Sequence, residues 1–314
     1  MSALFTVIMP VFLIIGFGWV ATWRGWFGDV AVDGLMRFAQ NFAVPVLLFV
    51  SVARLDLGTD FSLPLLLSFY IGAFASYAVG WAGARFVFHR PATDAVAIGF
   101  ICLFSNSLLL GVPITQRAFG EEALAGNFAI IALHSPMIYT FGITVMEFTR
   151  AKGSGLSVGR VAGRALRGVL RTPLVIGILT GIVVNLMMQA GLILPEGFWA
   201  AVDMIARAAL PAALFGLGGV LYRYKPEGDM AVIAMCCFCG LLLHPAITFG
   251  LGRATGLDVA GLRSAVVTAA MAPGINTYLF ANIYGVGRRV AASSVLIGTA
   301  ASMLTTWMWL SLLP

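Results

Sequence analysis

Charge is scarce in this sequence. Of its 314 residues only 10% are Asp, Glu, Lys or Arg, while 60% are hydrophobic. A soluble domain carries about 25% charged residues, so a water-facing surface is excluded. Cysteine is scarce too, with Cys102 alone and Cys236, Cys237 and Cys239 close together. All four fall in apolar stretches, where a thiol acts as a small apolar residue. The CCFC run lacks the second ligand pair of a zinc site, so no metal and no cofactor are expected. His-Glu-x-x-His, Gly-x-Ser-x-Gly and Gly-x-x-x-x-Gly-Lys-Ser/Thr elements are missing. Metalloprotease, serine-hydrolase and ATP-driven readings lose their usual support.

Long apolar runs are abundant. Ten stretches have about the length needed to span a bilayer, at 3–22, 35–54, 63–88, 94–118, 123–149, 172–190, 200–222, 229–254, 262–284 and 289–313. The N-terminal one has no basic region ahead of it and reads as a first span rather than a signal peptide. The net charge of +6 is unevenly spread. Arg150, Lys152, Arg160, Arg164, Arg167 and Arg171 share one polar segment without an acid. That is the pattern of a cytoplasmic loop, not of a nucleic-acid partner. With that loop inside, 14 basic residues fall on its side and 5 on the other, together the 19 present. Both termini are then expected on the non-cytoplasmic side.

The basic segment 150–171 separates two sets of five spans, 1–149 and 172–314. AVPVLLF at 43–49 echoes ALPAALF at 209–215, MPV at 9–11 echoes TPL at 172–174, and GAR at 83–85 echoes LGR at 251–253. The order and near-constant offset favour duplication. An odd number of spans per copy requires the second to be inverted, as in many secondary transporters. The fold class expected is an all-α polytopic membrane protein, with ten transmembrane helices as two inverted five-helix repeats.

Two spans carry breaks. In AAMAPGINTYLF at 269–280, Pro273 removes a helical hydrogen bond and Gly274 lets the chain leave the helix, beside Asn276 and Thr277. Within hydrocarbon such a break is tolerated where it faces protein or a wet cavity. A helix restarting there points its N-terminus at the membrane centre, a ready anion site. The equivalent span FSNSLLLGVPITQRAFG, at 104–120, has Asn106 and Ser107, then Gly111 and Pro113.

These segments resemble the auxin efflux carrier family. FAQNFAVPVLLFVSVARLDL at 38–57 is similar to its Pro-x-Leu-Leu-Phe helix, and FSNSLLLGVPITQRAFG to its Asn…Gly-x-Pro…Phe-Gly pattern. IARAALPAALFGLGGVL at 205–221 and MAPGINTYLFANIYG at 271–285 resemble two further segments. The resemblance implies crossed, broken fourth and ninth helices and an elevator-type movement. It implies small organic anions as substrates: auxin in plants, dicarboxylates such as malonate or malate in bacteria. Gly111, Pro113, Pro273 and Gly274 would form the crossover, with Asn106 and Asn276 near the bound carboxylate. Pro-Gly-Ile-Asn departs from the small hydroxylated or Ala residue expected after the proline.

Ionisable residues inside spans are functional by default. Among the acids only Glu147 lies well within one, near Arg150 at its end, where pairing at the interface explains it. Asp94 and Asp203 open their spans and are expected to cap helices. His134, followed by Ser135, and His244 lie mid-span near prolines. Each is expected to serve a carbonyl that its proline frees, and the alternative is a proton-linked role for His134. The expected function is a secondary carrier, in a bacterial inner membrane, of a small organic anion bound by Asn106, Ser107, Asn276, Thr277, His134 and Ser135. A bile-acid/sodium symporter-like carrier and an intramembrane Ser/His enzyme are the alternatives. The lipid bilayer is the expected surrounding, and homodimerisation is left open.

Overall fold

A computed structural model describes residues 4–55, 62–151, 163 and 170–314. Lys152, Arg160, Arg164 and Arg167 of the expected basic loop lie outside the described residues. The described chain is helical, without a strand. Its first half contains α1 (Thr6–Trp23), α2 (Asp29–Ala53), α3 (Leu63–Val87), α4 (Ala92–Leu103), α5 (Val112–Phe119) and α6 (Ala125–Arg150). Its second half contains α7 (Pro173–Gln189), α8 (Glu196–Arg223), α9 (Met230–Ala254), α10 (Val259–Ala269), α11 (Ile275–Tyr284) and α12 (Arg288–Leu312). Among the described residues seven helices are long and apolar enough to cross a membrane: α1, α2, α3, α6, α8, α9 and α12. Leu13, Phe42, Val79 and Leu304 lie exposed on them, a surface suited to lipid and not to water.

Proline sets the local geometry. Pro10, Pro45, Pro113 and Pro245 each follow, by two residues, the end of a π-helical turn: Leu4–Ile8, Ala39–Ala43, Ser107–Gly111 and Cys239–Leu243. A proline lacks its N–H and crowds the carbonyl four residues earlier, and the widened turn relieves that crowding. Caps come from Ser62, Asp229 and Asp258, which accept from the N–H groups of Leu65, Ala231 and Gly261 at 3.3, 3.0 and 3.1 Å. Asp94 and Asp203 are not caps, contrary to the sequence expectation. Pro91 and Pro195 stand at those helix starts, so both aspartates fall inside a helix. Asp203 instead receives two hydrogen bonds, at 3.0 Å each, from the Arg54 guanidinium.

The helices sort into two groups. In one, α1 packs on α8, α2 on α7, and α2 on α8. Glycines bring these backbones together: a Cβ on Gly18 would meet the Phe215 carbonyl at 2.0 Å, and one on Gly218 the Ile15 carbonyl at 2.0 Å. On the other helix pair, a Cβ on Gly181 would meet the Phe49 carbonyl at 2.9 Å. Gly181 lies 163 residues after Gly18, and Phe215 lies 166 after Phe49, so one contact recurs at the spacing of the sequence echoes. In the second group α3 packs on α4 and α9, α9 on α10, and α12 on α9 and α11, with α6 against α4 and α10. The rings of Phe100 and Phe280 stack there at 3.9 Å between centroids.

Candidate binding cavity at the helix breaks

The chain leaves the helix twice. After α4 it is unwound through Phe104–Asn106, and after α10 through Ala270–Gly274. The first break comes before Pro113, because Ser105, Asn106 and Ser107 offer the backbone alternative hydrogen bonds. Pro113 stands inside the restarted helix, two residues after its π turn, and the widened turn accommodates its missing N–H.

The two breaks satisfy each other. Ser105 and Pro273 form an antiparallel bridge. The Asn106 N–H donates to the Ala272 carbonyl at 2.8 Å, and the Gly274 N–H to the Phe104 carbonyl at 3.0 Å. Backbone groups that neither helix can use are thereby paired away from water. Pro273 has no N–H to place; its ring sits against Gly298, where a Cβ would come within 2.9 Å.

Beyond the bridge both helices restart. The Asn106 carbonyl accepts from the N–H groups of Leu110 and Gly111, both at 3.2 Å. The first N–H groups of each restarted helix have no intrahelical acceptor, and they carry the positive end of the helix dipole. These two helix starts, together with the start of α7 at Thr172, line a cavity of about 220 Å³.

Most of the sequence-predicted residues meet in that cavity. Asn106 and Ser107 line it from the first restart, Gly274 and Asn276 from the second, and His134 and Ser135 from α6. Thr277 is not in the lining; it is buried, and its hydroxyl donates to the Gly274 carbonyl at 2.7 Å. Gly111 packs against Thr268 and Met271 and is not in the lining. Pro113 lines a different cavity.

The wall is mostly apolar, set with a few uncharged polar side chains. Among the described residues no Asp, Glu, Lys or Arg contributes to it, and His134 is its one titratable group. The Asn106 amide nitrogen and both His134 ring nitrogens are buried without a hydrogen-bond partner among the described residues. The His134 ring is held edge-on by Phe104 at 4.7 Å and Phe69 at 5.5 Å between centroids. His244 plays the quieter part: Nε2 lies 3.1 Å from the Phe69 carbonyl on a neighbouring helix, not on a carbonyl freed by its own proline. Tyr139 donates to the Asn276 carbonyl at 3.2 Å and fixes the second restart. Such an arrangement offers N–H and amide donors to a small anion.

Gln40 and Asn41 also line the cavity, and sequence reasoning passed over them. The signal was present: they are an isolated amide pair in an apolar run, five and four residues before Pro45. They sit in the π turn ahead of that proline, and such turns recur at functional sites.

Residues 3–310 match the model of the membrane transport protein family. The chain belongs to that family, which includes the auxin efflux carriers. It is 22% identical over 305 residues to the uncharacterized transporter YfdV of Escherichia coli strain K12, covering 96% of this chain and 95% of that protein. It is 23% identical over 306 residues to a putative malonate transporter of Rhizobium meliloti, covering 97% and 94%. Auxin efflux carrier component 8 of Arabidopsis thaliana is 23% identical over 324 residues, covering 87% of each. The chain is therefore an integral membrane transporter, and an enzymatic reading is set aside.

Proposed function

We propose that this protein is a secondary carrier of a small organic anion, a mono- or dicarboxylate of about malonate size. The observation that carries the reading is the cavity at the paired breaks, where helix starts and the Asn106 and Asn276 side chains supply donors without a buried cation. Its volume of about 220 Å³ is below the ~300–1,000 Å³ of drug-sized sites, which favours a small solute. Names carried by two relatives, malonate transporter and auxin efflux carrier, point to the same chemical class.

The architecture we assign is ten spans in two inverted repeats, 1–149 and 172–314, with α4–α5 and α10–α11 each forming one broken span. The recurrence of the Gly18–Phe215 contact as Gly181–Phe49 supports it. The division into two separately packed helix groups supports movement of one past the other, carrying the site between the two faces. The membrane we assign is the bacterial inner membrane, with both termini on the non-cytoplasmic side.

Proteoliposomes on a supported membrane, challenged with mono- and dicarboxylates under sodium and pH gradients, test this reading. Saturable currents for one anion class, lost in Asn106→Ala and Asn276→Ala protein that still elutes as a single species, are expected. No transport of any carboxylate, by current or by labelled uptake, would sink it.

A further inference from the structure

A second cavity, of about 730 Å³, opens between α1, α2 and α8 on one side and α5 with the start of α6 on the other. It is separated from the first by an apolar layer. Leu48, Leu109 and Ile131 face the first cavity, Val112 and Phe128 face the second, and all five belong to one buried cluster.

Unlike the first cavity, this one is charged. Among the described residues Arg54, Arg117 and Arg207 line it, with Asp203 and Glu121 as the acids, so that part of the wall is net positive. The partners of these groups differ. Arg54 is committed to Asp203 through two hydrogen bonds and lies over the Trp199 ring at 4.7 Å. Glu121 accepts from Gln116 at 3.1 Å. Arg117 gives one nitrogen to the Thr6 carbonyl at 2.7 Å. Arg207 has no ion pair or hydrogen bond among the described residues.

Arg207 is also exposed, well along its helix. It lies eleven residues along the 28-residue helix α8, about 16 Å from the helix start at 1.5 Å per residue. An arginine at that depth in an apolar span is costly unless it faces water or an opposite charge. A large cavity beside it provides the water; the unclaimed guanidinium leaves room for the charge. Of the five basic residues on this side of the chain, three face this one space.

We propose that the second cavity is an anion-binding vestibule, in which a small carboxylate docks on Arg207 with Arg117 alongside, across the apolar layer from the site at the helix breaks. The inference rests on the carrier reading for its ligand class. Its test does not need transport.

Ser51 lines this cavity and bonds only the Leu47 carbonyl of its own helix, at 2.8 Å, so Ser51→Cys is a mild reporter. The native cysteines are buried or half-buried, and the parent chain gives the blank. In full-length protein in nanodiscs, the reporter's reaction rates are measured with anionic sulfonatoethyl and cationic trimethylammonium-ethyl methanethiosulfonates. Arg207→Gln is expected to lower the anionic-to-cationic rate ratio at least about fivefold, since a nearby unit charge acts on the two reagents in opposite senses. Arg207→Lys should keep the ratio, and malonate should slow the anionic reagent in the reporter but not in its Arg207→Gln version. A ratio indifferent to Arg207→Gln, or no slowing by malonate, overturns the vestibule. If the charge preference and protection hold while no carboxylate is transported, the carrier reading fails and the vestibule stands. Asn106→Ala should leave the rate ratio unchanged.

Discussion

The two helix groups both pack through glycines, but against different neighbours. In the group of α1, α2, α7 and α8, glycines let backbones touch, and Gly18 and Gly218 leave no room for even one methyl. In the crossing group the close neighbours are mainly side chains, Cys102 Sγ at 2.3 Å from a Cβ on Gly80 and the Phe100 ring at 2.5 Å from one on Gly142. Cβ space at Gly274, beside the break, is ordinary, with Asn106 Cα at 3.5 Å. Membrane helices gain little from hydrophobic association and rely on close packing, so the first group reads as a rigid frame. The second exchanges helical hydrogen bonds for a bridge between two breaks, which places donors at a cavity. Both cavities lie where the groups meet, so a displacement between frame and crossing would reshape both together.

The largest effect should come from breaking the frame. Gly218→Val puts a branched side chain where a Cβ alone would lie 2.0 Å from the Ile15 carbonyl and 2.7 Å from the Trp19 nitrogen. Overpacking against side chains costs about 1–3 kcal/mol; backbone on a facing helix cannot swing aside, so the separation of α1 and α8 must grow. We expect loss of the monodisperse peak in size-exclusion chromatography. A stable, fully active Gly218→Val protein would show the frame to be looser than its geometry.

Next come Asn106→Ala and Asn276→Ala, which spare the frame. A hydrogen bond to a charged group contributes about 1.5–3 kcal/mol, so each should weaken half-saturation by carboxylate roughly 10- to 150-fold, with little change in melting temperature. An equal loss of stability and transport would mean that the asparagines hold the breaks together rather than the solute.

A smaller effect is expected at Asn127. Its amide donates to the Thr115 hydroxyl at 3.1 Å and to the Thr268 hydroxyl at 2.7 Å, tying α6 to the helices on either side of the crossing. Interhelical hydrogen bonds in membranes average about 0.6 kcal/mol. Asn127→Ala should therefore lower the melting temperature by only a few degrees, on the order of 1 kcal/mol for two bonds. Thr268→Val alone should lower it by less. A collapse of folding would place the stability of the crossing in this cluster rather than in the bridge.

Much of this was legible because hydrocarbon punishes irregular backbone. Apolar length alone located α9, expected at 229–254 and found at Met230–Ala254. It located α2 poorly, since the first turns, DVAVDGLMR, are amphipathic rather than apolar. Pro273 marked its break directly. Pro113 did not, because it falls inside the restarted helix, two residues after its π turn, and Ser-Asn-Ser had already ended the previous one. Asn106 and Asn276 were found through their oily surroundings; Gln40 and Asn41 had the same surroundings and no visible break. Arg207 has no motif around it, and only the cavity beside it separates it from an arginine reaching for the interface.

The smallest expected effect sharpens the comparison most. Gly274 has φ −75° and ψ 159°, extended backbone open to any residue, so its glycine is not required by conformation. A methyl there would rest on Asn106 Cα and the Phe104 ring, each at 3.5 Å, an ordinary contact. Gly274→Ala should thus fold with an unchanged melting temperature, whereas Gly18→Ala should not. Its methyl would stand at the lip of the cavity, between the two helix starts. Half-saturation should rise a few-fold for the bulkier carboxylates and hardly at all for the smallest. Equal shifts for all of them would mean that this glycine sets the spacing of the crossing and not the size of the solute.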